Sequence, residues 1–212
     1  MTKATYIFDM DGLLIDSEPL WQEVEKQVFA TVGIQLSTAM CEQTTGLGCE
    51  EVVEYWYRRR PWDGRSKVQI HDDIIAAMVA SFQRYLPLKP GAVALIKQLA
   101  KNHTVGICSA SSMVLIETAV AIMGVEQYIA VIHSATADEF SKPHPLPYLN
   151  CAKELACEVH TCIVFEDSAP GAIAAKAAGM TVVAVPEGPY SDDKFGFCDQ
   201  VLTSLEDYEV PC

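Results

Sequence analysis

The chain predicts a doubly wound α/β fold: a parallel, Rossmann-like sheet with helices on both faces and an inserted α-helical cap. Three observations predict it. Short apolar runs bounded by polar turns alternate with helical periodicities along most of the sequence. The alternation fails in one block, from about residue 18 to residue 86, where helical patterns follow one another without a convincing strand. Finally, carboxylates, hydroxyls and a lysine recur just beyond the carboxyl ends of the apolar runs, which is where open α/β sheets bind ligands.

The strands are expected at Thr5 to Phe8, Thr104 to Cys108, Ala130 to Ile132, Cys162 to Phe165 and Thr181 to Val185. Each is a short, largely apolar run, as a strand buried on both faces requires. Between them, helices are expected at Ala92 to Lys101, Met113 to Met123, Leu146 to Leu155 and Ala169 to Ala178. Gly124 and Gly179 stand where left-handed C-caps would end two of these helices. The interrupting block holds helical stretches at Pro19 to Val32, Cys49 to Arg60 and Ser66 to Tyr85. Ser17 before Glu18-Pro19 predicts an N-cap with proline in the first turn. Leu86-Pro87-Leu88-Lys89-Pro90-Gly91 reads as the returning linker. Residues 1–16 and 88–212 are therefore expected to form the catalytic core. Residues 17–87 are expected to form a cap above the carboxyl end of the first strand, where the chain leaves the core.

At 212 residues, half of them hydrophobic, the chain suits one core domain with a smaller insertion and argues against disorder. The formal charge of −13 would repel a nucleic acid or an anionic membrane on average. An anionic ligand must then be attracted locally. No apolar run is long enough to span a bilayer and no signal-peptide core is visible, so a cytoplasmic protein is expected. The eight cysteines show no C-x-x-C spacing; Cys108, Cys151 and Cys162 read as small core residues and free thiols are expected.

The first strand delivers Asp9 and Asp11, two carboxylates one residue apart, before the turn at Gly12. The second delivers Ser109-Ala110-Ser111-Ser112 into a helix N-terminus, a natural anion cradle. The third is followed by Ser141-Lys142-Pro143, and the fourth ends in Glu166-Asp167-Ser168. Up to four carboxylates in one place demand a cation, and oxygen-only ligands suit Mg²⁺. The chemistry that follows is phosphoryl transfer. Asp9 would attack phosphorus, Lys142 and Mg²⁺ would neutralise the oxygens, Ser109 would donate to one of them, and Asp11 would serve as acid and then base. Taken singly, Ser109 is as readily an N-cap, Lys142 a solvated charge and Glu166-Asp167 an acidic first turn of a helix.

Asp9-Met10-Asp11-Gly12, Ser109, Lys142 and Glu166-Asp167, in this order and spanning nearly the whole chain, resemble the haloacid dehalogenase superfamily. The Asp-Gly-Leu-Leu-Ile-Asp-Ser-Glu run and the cap after it point to the β-phosphoglucomutase-like branch. That run with Pro19-Leu20-Trp21, together with Tyr57, Pro61-Trp62-Asp63-Gly64 and Ser141-Lys142-Pro143-His144-Pro145, is similar to bacterial hexitol and 2-deoxyglucose-6-phosphate phosphatases. The resemblance implies Asp9 and Asp11 as catalytic residues. It implies substrate contacts from Asp9, Asp11, Ser109, Ala110 and Lys142. Mg²⁺ would be held by Asp9, the Asp11 carbonyl and Asp167, with Glu166 nearby. It implies a phosphatase for sugar or sugar-alcohol phosphates working through an aspartyl-phosphate.

Three rivals are weighed against it. A dehalogenase lacks the second aspartate. A β-phosphoglucomutase carries a histidine near the cap start, where this chain has Trp21, and an arginine-bearing loop, where it has Gly46-Leu47-Gly48. A signalling receiver would have neither the cap nor an acid/base at Asp11. The expected partner is a small phosphorylated metabolite, and a monomer is the default. Trp21, Trp56, Tyr57 and Trp62 could line a closed pocket, although helical aromatics more often pack inward.

Overall fold

The computed structural model describes residues 4–188 and 192–210, with the side chains of 192 and 193 left aside. Its contacts divide the chain into two compact units, residues 1–16 with 87–212 and residues 17–86.

The first unit is built on a six-stranded parallel sheet of order β3-β2-β1-β4-β5-β6. The strands are β1 (Thr5–Phe8), β2 (Thr104–Ser109), β3 (Val131–Ser134), β4 (Cys162–Glu166), β5 (Thr181–Ala184) and β6 (Gln200–Val201). In this order the connections diverge between β1 and β4, so the switch point lies at their carboxyl ends. The β1–β4 register pairs Thr5 with Cys162 and Phe8 with Phe165, so the two strands end side by side. Asp9 follows one and Glu166-Asp167 closes the other. Behind them Phe8 stacks on Phe165 with centroids 4.7 Å apart and planes 7° apart. Ile7, Phe8, Val164 and Phe165 are fully buried, each worth about 2 kcal/mol of transfer free energy. The site therefore stands on a platform that cannot shift without disturbing the core.

In the second unit α1 (Glu18–Ala30), α2 (Thr38–Cys41), α3 (Cys49–Arg59) and α4 (Lys67–Arg84) form a small bundle. Ser66 opens α4 with a capping box: its hydroxyl oxygen accepts from the Gln69 N–H, and the Gln69 side-chain oxygen accepts from the Ser66 N–H. Trp56 and Trp62 are buried there; Trp62 packs edge-on against Phe29 and Tyr57 and donates to the Arg65 carbonyl. These two are core residues of the bundle, which removes them as pocket-lining candidates. Ser17 also departs from expectation. It stands at the N-cap position in helical backbone conformation and makes no side-chain cap hydrogen bond; Pro19 still occupies the first turn.

In the first unit α5 (Ala92–Leu99), α6 (Met113–Met123), α7 (Leu146–Glu154), α8 (Ala169–Ala177) and α9 (Asp192–Phe195) connect the strands. The boundaries of α5 to α8 lie within two residues of the expected ones, while the single-turn α9 was not expected. Gly124 and Gly179 both adopt positive φ after α6 and α8. Two further features were not anticipated. β3 runs on to Ser134, two residues past the apolar stretch, because His133 and Ser134 find polar partners inside. β6 is only two residues long, too short to carry a periodic signal.

Candidate active site

The turn after β1 brings Asp11 back beside Asp9. The Gly12 N–H donates to the Ile15 carbonyl at 2.8 Å and the Leu14 N–H to the Met10 carbonyl at 2.9 Å, closing a tight loop. Gly12 has φ +81°, and a Cβ there would collide with the Asp167 carboxylate. Only glycine meets both demands. The turn can thus press against the end of β4.

Lys142 reaches this point from the loop after β3. Its Nζ lies 2.6 Å from Asp9 Oδ1, 2.6 Å from Glu166 Oε1 and 3.1 Å from the Cys108 carbonyl oxygen. All three ammonium hydrogens are thereby engaged. Burial alone would pull this lysine down, but Asp9 and Glu166 outweigh it and hold the ammonium well above the usual range. Its charge is secure.

Glu166 and Asp167 are neighbours with opposite environments. Glu166 is fully buried. Its Oε1 accepts from Lys142 and from the Tyr148 hydroxyl at 2.5 Å, and its Oε2 accepts from the Ser168 hydroxyl at 3.0 Å and the Ser168 N–H at 3.4 Å. Burial and the Glu166 charge hold the Tyr148 hydroxyl well above its ordinary value, so it remains a donor. By contrast, Asp167 Oδ1 is buried without a hydrogen-bond partner among the described residues. Burial, then Asp9 and Glu166, push this carboxyl well above the usual carboxylate range. Burial likewise pushes Asp9 up to about 7 against the pull of Lys142, with Glu166 and Asp11 adding to the rise.

Such carboxylates fit a cation. Asp9, Glu166 and Asp167 each offer an oxygen within 4.8 Å of the others. All donors are hard oxygens, the preference of Mg²⁺. The orphaned Asp167 oxygen and the raised Asp9 and Asp167 are what a site short of positive charge looks like. Glu166 already has a full set of donors and serves better as the anchor of Lys142 than as a ligand.

On the other side of Asp9, the Asp11 carboxylate accepts from Ser111 Oγ at 2.7 Å and, at a longer 3.4 Å, from Ser109 Oγ. Ser109 Oγ also accepts from the Ser111 N–H at 3.1 Å. Ala110, half-buried, links the two serines immediately beyond β2. The structure thus brings Asp9, Asp11, Ser109, Lys142, Glu166 and Asp167 to one end of the sheet. It adds Ser111 and Tyr148, which sequence reasoning did not single out. Ser111 was visible only as part of a hydroxyl cluster, and Tyr148 carries no signal beyond its place in an apolar helix face.

A carboxylate centre at the switch point of a parallel sheet, with a captured lysine, is the arrangement of an enzyme. The chain belongs to the haloacid dehalogenase-like hydrolase family, whose sequence model matches residues 6–185. It is 40% identical to hexitol phosphatase B of Escherichia coli strain K12, over 94% of this chain and 91% of that protein. Among solved structures it resembles CbbY from Rhodobacter sphaeroides in complex with phosphate, with TM-score 0.88 and 23% identity, covering 97% of this chain and 96% of that one. It also resembles β-phosphoglucomutase from Clostridium difficile, with TM-score 0.82 and 24% identity over 99% and 94% of the two chains. At these identities the two structures speak for the fold.

Proposed function

We propose that this phosphoric monoester hydrolase releases phosphate from small sugar or sugar-alcohol phosphates, with Asp9 as nucleophile, Asp11 as acid and base, and Mg²⁺ as cofactor. The observation that carries the reading is the pairing at Asp9. One of its oxygens is tied to the Lys142 ammonium at 2.6 Å, while a second aspartate, itself held by Ser111, stands two residues away. Identity to a hexitol phosphatase across nearly the whole chain supports the substrate class.

The steps follow from those residues. The Asp9 carboxylate attacks phosphorus, the bond to the ester oxygen breaks, and Asp11 gives its proton to the departing alkoxide. Water then attacks the aspartyl-phosphate, Asp11 takes its proton back, and the Asp9–phosphorus bond breaks to free phosphate. Lys142 offsets negative charge on the phosphoryl oxygens, and Ser109 donates to one of them. Ala110, between the two serines, adds to the substrate cradle. Mg²⁺, held by Asp9, the Asp11 carbonyl and Asp167, would supply further neutralisation of the transferring group. Residues 17–87 act in this reading as the cap that selects among substrates, and the protein works in the cytoplasm as a monomer.

The test is phosphate release from a panel of hexitol, 2-deoxyglucose, fructose and glucose phosphates, with Mg²⁺ and with chelator. Release from several sugar or polyol phosphates, abolished by chelation, is expected. Conversion of β-glucose 1-phosphate to glucose 6-phosphate without net phosphate release would replace the reading with a mutase.

A further inference from the structure

We propose that His133 is a positioning residue for Lys142, acting through a buried polar clamp on the loop between β3 and α7. The inference rests on the role given to Lys142 above and deepens it.

The loop leaves β3 at Ser134 and reaches Lys142 through Glu139, Phe140 and Ser141, all exposed. Such a stretch has little apolar burial to fix it, yet it must hold an ammonium within hydrogen-bond distance of Asp9. Its start is held by polar contacts instead. His133 Nε2 lies 2.9 Å from Asp138 Oδ2, and Asn150 of α7 donates to Asp138 Oδ1 at 2.7 Å. The Asp138 side chain is only 5% exposed and that of His133 6%, so these bonds form out of water. An ionised carboxylate can only accept, so Nε2 carries the hydrogen of that bond. A buried carboxylate stripped of its donors is costly, which ties the loop firmly to strand and helix.

The remaining contacts are weaker or reinforce the same point. Nδ1 of His133 faces Glu154 at 3.1 Å, but that side chain is half exposed and water can take its place. Ser134 donates to the Ser111 carbonyl at 2.7 Å and sits 2.7 Å from Thr136 Oγ1. The end of β3, the loop start and the serine segment that holds Asp11 are thus joined. Among the described residues, no hydrogen bond links His133, Asp138 or Asn150 to Asp9, Asp11, Glu166 or Asp167. The clamp therefore reaches the site mainly along the loop from Asp138 to Lys142, with Ser134 and Ser111 as an indirect second link to Asp11.

Two amide substitutions separate the two ring nitrogens. His133→Gln puts an N–H donor where Nε2 stands and keeps the bond to Asp138; His133→Asn places one near Nδ1 and loses that bond. In the Mg²⁺-loaded enzyme, His133→Asn is expected to lower kcat about tenfold with KM within about twofold, while His133→Gln stays within about threefold of the parent in kcat. Where His133→Asn does not fold, Asp138→Ala, which removes both acceptors, is measured instead, with the same loss expected. Equal kcat in the two His133 variants, or an unchanged kcat in Asp138→Ala, overturns the proposal. Lys142→Ala is assayed alongside. If it retains turnover, the reading of Lys142 fails and takes the clamp with it. If it loses turnover while His133→Asn does not, the clamp alone is wrong.

Discussion

Asp9 in the α/β unit and Glu25 in the helical unit are both buried carboxyls pushed up to about 7, chiefly by burial. Their surroundings differ. Asp9 is paired with Lys142 from the loop after β3 and stands beside Glu166 and Asp167 from the end of β4 and Asp11 from its own turn. Glu25 sits inside one helix of a small bundle, raised further by Glu18 and eased only by a hydrogen bond with Cys41. A perturbed carboxyl is therefore no functional signature by itself. What separates a site from an awkward core residue is convergence: several charges of both signs, from distant parts of the chain, with donors left over for a ligand.

That contrast can be broken by experiment, beginning with the largest effect. Asp9→Asn should reduce turnover on the order of 10⁴-fold or more and yield no phosphoenzyme, read by acid-quench labelling. Asp11→Asn should cost about 10²- to 10⁴-fold and leave labelled phosphoenzyme detectable, since the acid of the first half-reaction and the base of the second are both missing. Glu25→Gln should leave kcat within about twofold; a loss approaching that of Asp9→Asn would erase the distinction drawn here.

Gly12→Ala comes next. It strains a φ of +81° and drives a methyl group into the Asp167 carboxylate. The Mg²⁺ concentration for half-maximal activity should rise about tenfold or more, and an unchanged Mg²⁺ titration would detach Asp167 from the metal. Tyr148→Phe removes one of the donors to Glu166 Oε1 while keeping the ring 4.8 Å from Lys142 Nζ. A single lost hydrogen bond predicts a fall in kcat of about fivefold, and no fall would show that Lys142 and Ser168 suffice to hold Glu166.

The smallest effect concerns stability. Glu25 has a folded-state pKa raised from 4.5 to about 7, so the folded protein binds its proton more tightly than the unfolded chain. Below about pH 4.5 both states hold the proton and Glu25 costs nothing. Between 4.5 and 7 the cost grows, and above 7 it is complete, at up to about 3 kcal/mol. Glu25→Gln should therefore raise the urea midpoint at pH 8 and leave it unchanged near pH 4. A gain of equal size at both pH values would mean that packing, and not ionisation, is responsible.

The legible parts of this protein were those written in local pattern. An apolar run followed by Asp9-Met10-Asp11-Gly12 identifies a strand, its end and a turn at once, and the same logic found Ser109, Lys142 and Glu166-Asp167. It did not find β6, whose two residues are held in place by β5 and not by any periodicity of their own. Nor did it distinguish Ser111 from Ser109 as the nearer donor to Asp11, because both hydroxyls lie on one short turn and only the approach of another segment chooses between them. The aromatic residues Trp56 and Trp62 were ambiguous for the same reason, and the packing of the bundle resolved them as core.

From the amino-acid order alone came the strand and helix succession and the chemical types at each strand end, since backbone periodicity and turn chemistry act over a few residues. Only folding separated Glu166 from Asp167: two adjacent acids of like chemistry, one saturated by Lys142, Tyr148 and Ser168, the other left with a bare oxygen. Partners that arrive from residues far away in the chain decide what a carboxylate does, and no local pattern encodes who arrives.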